Sequence, residues 1–111
     1  MIEKIIQDYL LNVLNVPVYV DVPADPGDSY VVIDRTGGDE TEHIRSATIA
    51  VQSYGGRKIT AAELHEQVLA LLPAIATGEK VSACDVNAEY DYTDEETKRY
   101  RYQAVFDIVY Y

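Results

Sequence analysis

Basic residues, cysteine and long apolar runs are scarce in this sequence, and each scarcity excludes a class of protein. Nine Lys and Arg residues stand against nineteen Asp and Glu residues. The resulting formal charge of -10 opposes binding to nucleic-acid phosphates and to anionic lipid. No apolar run approaches the roughly 20 residues of a membrane-spanning helix. We therefore expect no membrane span and no specific nucleic-acid partner.

The cysteine content and the N-terminal segment indicate where the chain is made. The one cysteine, Cys84, cannot form an internal disulfide. The first residues, MIEKIIQDYLL, interrupt their apolar positions with charge and contain no continuous apolar region of a signal peptide. Synthesis in a reducing cytoplasm is the expectation.

The aromatic composition is unusual. Tryptophan is absent and phenylalanine occurs once, whereas tyrosine occurs ten times. Tyrosine suits surfaces that are buried on one side and wet on the other. Contacts between protein subunits are therefore expected.

The hydrophobic pattern predicts a single α+β domain spanning residues 1–111. Apolar residues recur at helical spacing, then alternate at strand spacing, with breaks at Pro17 and in the loop from Gly37 to His43. The predicted segments are a helix at 2–13, strands at 18–20, 30–33 and 44–54, a second helix, and strands at 80–92 and 98–110. The order α-β-β-β-α-β-β implies an antiparallel or mixed β-sheet packed by two helices.

The second helix has a distinct start signal. Thr60 and Glu63 have the spacing of a capping box, and Ile59 and Leu64 have the spacing of a hydrophobic staple. We predict that the helix begins at Thr60 and that the helical segment stops at Gly78.

The last two strands are predicted to form a hairpin around a loop at Thr93–Thr97. Opposite charges face each other if the numbers of paired residues sum to 190. That register pairs Asp91 with Arg99, Glu89 with Arg101, Tyr90 with Tyr100 and Cys84 with Phe106.

No motif for catalysis, cofactor or metal binding is apparent. His43, His65 and Cys84 have no metal-ligand spacing; His65 is predicted to be solvated on the second helix, and Cys84 to be a small core residue. The segment Tyr54-Gly55-Gly56-Arg57-Lys58 lacks the spacing of a phosphate-binding loop, so its glycines are interpreted as turn residues. The acidic clusters lack the pattern of a calcium-binding loop. We expect no enzyme activity, no cofactor and no metal.

Three segments, IRSATIAVQSYGG, TAAELHEQV and above all KRYRYQAVFDIVYY, resemble the tail-terminator (tail completion) proteins of long-tailed bacteriophages and prophages. The similarity extends from VYVDVP and YVVIDRTGG to the C-terminus. The resemblance implies a non-catalytic virion protein, made in the bacterial host cytoplasm, that forms a hexameric ring on the end of the tail tube. Such a ring stops tube polymerisation, presents a surface to the neck or head-completion protein, and lets DNA pass.

Because no catalytic motif is present, the only sites that the sequence suggests are segments that contact neighbouring subunits. Acidic loops beside cations suggest charged contacts between neighbouring subunits of a closed ring, as well as a negatively charged lumen. The candidate interface residues are Arg35, Asp39, Glu40, Glu42, Arg45, Asp94, Glu95, Glu96 and Lys98.

Three alternatives remain open at the level of sequence. A head-tail joining or tail-tube protein of the same fold has the same pattern. An enzyme requires His65, Cys84 and a carboxylate to converge in a pocket. An acidic host-directed regulator that mimics nucleic acid requires carboxylates clustered on one face at phosphate-like spacing.

Overall fold

The computed structural model describes residues 1–111 and confirms the α+β class and the predicted element order. The elements are α1 (Ile2–Val13), β1 (Val18–Tyr19), β2 (Tyr30–Thr41), β3 (Ile44–Gly55), α2 (Lys58–Leu71), a 3-10 helix (Leu72–Thr77), β4 (Val81–Asp91) and β5 (Tyr100–Tyr110). The molecule is elongated, measuring 44 × 25 × 25 Å.

The five strands form one mixed sheet in the order β1-β2-β3-β5-β4. Only β1 pairs in parallel, with β2; the other neighbours are antiparallel. Both helices and the 3-10 helix pack on one face of this sheet, where the core lies. The opposite face, which no helix covers, is called the open face below.

The core forms where the apolar stripes of the helices meet the sheet. Helix α1 contributes Ile2, Ile6 and Leu10, whose spacing places them on one side of the helix. Leu64 and Val68 of α2 are buried in the same core. The strands contribute alternate residues: Val31, Ile33, Ala47, Ile49, Val51, Ala104, Phe106 and Ile108.

The predicted start of α2 at Thr60 is wrong by two residues. The backbone N–H of Ala61 donates to the carbonyl of Arg57 at 3.1 Å, so the helix begins at Lys58 directly after the glycine turn. Thr60 then lies inside the first turn, where no side-chain cap is formed. The staple is absent too, because Ile59 is 56% exposed.

The predicted Gly37–His43 loop is also wrong. Strand β2 continues to Thr41, with a bulge between Arg35 and Gly37, and only Glu42 and His43 connect it to β3. Residues 34–45, called the arm below, are exposed, and the arm's end extends beyond the rest of the sheet. The two glycines remain compatible with a strand because a bulge accommodates an extra residue.

The hairpin of β4 and β5 forms, but the predicted register is wrong. Two bulges in β4 change the sum of paired residue numbers from 191 at Val81 to 192 in the middle and 193 at Asp91. An odd shift inverts the faces of a strand. Asp91 therefore lies opposite Tyr102, and Glu89 opposite Ala104, rather than opposite arginines. The predicted apolar residues Val86, Tyr90 and Tyr92 are 42–44% exposed.

Candidate functional site

The candidate interface residues fall into two groups at opposite ends of the sheet. Because Arg45 pairs with Tyr110 and Gly55 with Tyr100, the turn of the arm and the β4–β5 connection lie at opposite ends. The arm carries Arg35, Asp39, Glu40, Glu42 and Arg45. Residues 92–99, called the tip, carry Asp94, Glu95, Glu96 and Lys98.

The arm presents charged groups around a shallow concavity of about 370 Å³. The guanidinium of Arg45 lies 4.9 Å from the centre of the Tyr110 ring, and Nε of Arg35 donates to the carbonyl of Gly37 at 3.2 Å. Neither arginine forms an ion pair. The arm's carboxylates, at Asp34, Asp39, Glu40 and Glu42, form none either. These groups remain able to contact another molecule.

The tip is ordered by the carboxylates of Asp94 and of Asp91, the residue directly before it. Oδ1 of Asp94 accepts the backbone N–H groups of Glu96 at 3.0 Å and Thr97 at 3.4 Å. Hydrogen bonds from Thr97 lower the pKa of the Asp94 carboxyl. The pKa of Asp91 is likewise lowered, mainly by the hydroxyl and N–H of Thr93. Part of the predicted acidic cluster thus has a structural role.

The open face holds an aromatic row that the sequence analysis missed. Tyr30 of β2, Tyr54 of β3 and Arg101 of β5 lie directly opposite one another. The rings of Tyr30 and Tyr54 stack with centres 4.5 Å apart. The guanidinium of Arg101 lies 4.4 Å from the centre of the Tyr92 ring, and its Nη1 donates to the Tyr54 hydroxyl at 3.1 Å. The row therefore crosses from β2 to the tip.

A second, polar row runs beside the first. Gln52, Gln103 and Tyr90 lie opposite one another on β3, β5 and β4. Nε2 of Gln52 donates to Oε1 of Gln103 at 2.8 Å, and Nε2 of Gln103 donates to the Tyr90 hydroxyl. Alternation along β3 and β5 indicated that Gln52 and Gln103 share a face, but it grouped Tyr90 with Cys84 on the apolar side of β4. Only the register, with its bulges in β4, aligns the three residues.

His65 is buried, which contradicts the predicted solvated position. It is 2% exposed and stacks on Tyr102 with ring centres 5.1 Å apart. Its Nε2 lies 3.4 Å from Oε2 of Glu89, while its Nδ1 and the hydroxyl of Ser53 have no hydrogen-bond partner. The reason for the burial is that α2 packs directly over β5.

Cys84 is buried in the core, as predicted. It lies opposite Ile108 on β5, six positions along the strand from Tyr102, on which His65 stacks. Burial raises the pKa of the thiol to about 12. His65 and Cys84 are therefore separated along β5 and do not form a nucleophile–base pair.

No three His, Cys, Asp or Glu side chains come together in a way that could hold a metal ion. Neither helix combines the length and the apolar composition that crossing a membrane requires. Comparison with known proteins adds no assignment: no protein-family model matches the chain, and a search of curated proteins finds no significant match.

Proposed function

We propose that this chain is a structural subunit of a phage tail, of the tail-terminator type. It forms a homo-oligomeric ring, six subunits in the form that the sequence resemblance implies, on the end of the tail tube. The ring stops polymerisation of the tube protein and presents a surface to the neck or head-completion protein. DNA passes through its centre.

One observation carries the proposal: each end of an elongated sheet carries a cluster of charged groups that form no ion pair within the chain. A ring that closes by rotation needs two different, complementary surfaces on each subunit. The acidic arm and the arginine-bearing tip are two such surfaces. Tyrosine and arginine on the open face are also the residue types most common at the centres of protein interfaces.

The distribution of carboxylates favours this role over mimicry of nucleic acid. Carboxylates occur on both helices, on the arm, on β4 and at the tip, at Glu3, Asp8, Glu63, Glu66, Asp39, Glu40, Asp85, Glu95 and Glu96 among others. A mimic requires them on one face at phosphate-like spacing. A head-tail joining or tail-tube role would use the same surfaces and differs in the partner bound.

The proposal is tested by the tail phenotype of a phage or prophage that lacks this chain. We expect tails of abnormal length, or tails not joined to heads, in electron micrographs, and restoration when the chain is supplied in trans. Light scattering of the purified chain, alone and with tail tubes, measures assembly. Normal, joined tails without the chain contradict the proposed function.

A further inference from the structure

The arm has the geometry of a segment that extends into a neighbour. Strand β2 pairs with β1 only at Val31 and Val32, so its outer edge carries no strand partner from Ile33 to Thr41. On the other side of the arm, the pairing of β3 with β5 ends at Arg45, so Ile44 and the turn have no partner on β5. Ile44, next to the turn, is 59% exposed. The end of the arm is thus a two-stranded ribbon with an exposed apolar side chain.

The arm is also acidic. Between positions 34 and 45 there are four carboxylates and two arginines. The three close charge pairs of the molecule all involve other residues. Four carboxylates against two arginines leave the arm with net negative charge, and none of its carboxylates forms an ion pair within the chain.

The opposite end carries cations without carboxylate partners. Lys98, Arg99 and Arg101, called the basic end below, take part in none of the three charge pairs, although the chain has ten more acidic than basic residues. Nη2 of Arg99 donates to the Tyr30 hydroxyl. Nε of Arg101 donates to the carbonyl of Tyr92 at 2.6 Å.

These contacts fix the arginines while leaving donors free. A guanidinium carries five N–H groups, and each of these two uses only one or two of them. Side chains held in place by stacking lose little conformational entropy on binding. A fixed guanidinium next to tyrosine rings suits a carboxylate beside an apolar group.

We propose that the arm of one copy of this chain docks on the basic end of the next copy. Asp39, which lies on the same face of the arm as Ile44, faces the guanidinium groups of Arg99 and Arg101, and Ile44 covers the aromatic row. Glu40, on the other face of the arm, adds to its negative charge. The occupant is a second copy because its arm supplies both complementary features, acidic charge and an exposed apolar side chain. The inference rests on the proposed function, since it names the contact that closes the ring.

Charge reversal tests the contact. We expect the arm variant Asp39→Lys/Glu40→Lys, and separately the basic-end variant Lys98→Glu/Arg99→Glu, to weaken self-association at least about tenfold in sedimentation or light scattering. Mixing the two variants restores attraction at each contact, so association is expected to return. The double reversal in one chain is expected to associate as well. Glu63→Lys/Glu66→Lys, on the exposed side of α2, is the matched control.

Cross-linking gives a second measurement that does not depend on charge. In a Cys84→Ala background, Thr41→Cys together with Thr97→Cys is expected to give a disulfide-linked ladder, and either cysteine alone at most a dimer. Absence of a ladder, or self-association unaffected by both reversals, overturns the docking proposal. A chain that is monomeric at every concentration also overturns it.

The two proposals fail separately. If rings assemble regardless of arm charge and tails are defective without the chain, the terminator function is supported and the proposed contact is wrong. If the charge reversals control association but tails are normal without the chain, the contact is supported and the terminator function is wrong.

Discussion

The thiol of Cys84 is protected by the packing around it. Burial, with a smaller contribution from the nearby carboxylate of Asp85, raises its pKa from 9.0 to about 12. Because the thiolate is the reactive form, we expect iodoacetamide to modify the folded chain hardly at all at pH 8 and the unfolded chain readily. Mass spectrometry with and without denaturant measures this. Rapid labelling of the folded chain would mean that the core opens easily at this site.

The same raised pKa affects stability at alkaline pH. The unfolded chain releases the thiol proton near pH 9 while the folded chain retains it, so this contribution to stability is full below pH 9 and falls as the pH rises toward 12. Between pH 9 and 11 we expect the free energy of unfolding to fall more steeply than in Cys84→Ala, by at most about 1.4 kcal/mol per pH unit. Denaturant titrations across that range compare the two; parallel curves contradict the assignment.

The burial of Cys84 could be predicted from the sequence, whereas the burial of His65 could not. Cys84 alternates with charged residues along a strand, and that period correctly predicts its burial. His65 lies in a helix between Leu64 and Glu66, and nothing local distinguishes it from a solvated residue. Its burial depends on α2 lying across Tyr102, a tertiary contact between distant parts of the chain.

The turn of the arm is strained. Glu42 and His43 have φ angles of 52° and 68°, a left-handed pair that two-residue hairpins favour when Asn and Gly occupy it. Glu42→Asn/His43→Gly is expected to stabilise the arm by about 1 kcal/mol, seen as slower hydrogen exchange of its amides. The variant with the same two residues in reverse order, Glu42→Gly/His43→Asn, is the matched comparison, and we expect it to stabilise the arm less. Faster exchange in the first variant would contradict the turn geometry.

The first turn of α2 offers a second test at the scale of an element. Arg57 occupies the N-cap position without a side-chain hydrogen bond. Arg57→Ser supplies a cap and is expected to stabilise the protein by about 1 kcal/mol, whereas Thr60→Ala is expected to change stability by less than about 0.5 kcal/mol. Thermal melting of the two variants distinguishes the observed start from the predicted capping box, which requires Thr60→Ala to be the damaging change.

The order of the helices and strands could be predicted from the sequence better than the residue pairing between strands. Alternation and helical spacing correctly predict seven elements in order, because both patterns follow from which side chains face the core. The two bulges of β4 leave no comparable signal, since one inserted residue changes the pairing without changing the composition. The Gly37-Gly38 pair misleads for a related reason: glycine next to a bulge resembles glycine in a turn.

At the scale of the whole molecule, two acidic clusters look equivalent in the sequence but occupy different settings in the structure. One is Asp39, Glu40 and Glu42 of the arm, and the other is Asp94, Glu95 and Glu96 of the tip. Both are hydrophilic segments next to strands, so composition gives no basis for ranking them. The pairing of β3 with β5 places them at opposite ends. The arm cluster lies on a two-stranded ribbon with four carboxylates and two arginines, and the tip cluster lies beside Lys98, Arg99 and Arg101. The same carboxylate count therefore has opposite electrostatic consequences for contact between copies.

Neutralising each cluster separately tests this difference. The arm variant Asp39→Asn/Glu40→Gln/Glu42→Gln removes charge that faces the neighbour's basic end, so self-association is expected to weaken. The tip variant Asp94→Asn/Glu95→Gln/Glu96→Gln removes charge that competes for Lys98 and Arg99, so association is expected to hold or strengthen.

Both variants are expected to keep the wild-type circular dichroism spectrum and melting temperature. Asparagine at position 94 retains the side-chain oxygen that accepts the N–H groups of Glu96 and Thr97. Sedimentation velocity at low and high salt gives the comparison, because screening weakens exposed charge contacts. If the two variants associate equally well, or if only the tip variant is impaired, the arm is not the acidic partner and the contact between copies must lie elsewhere on the open face.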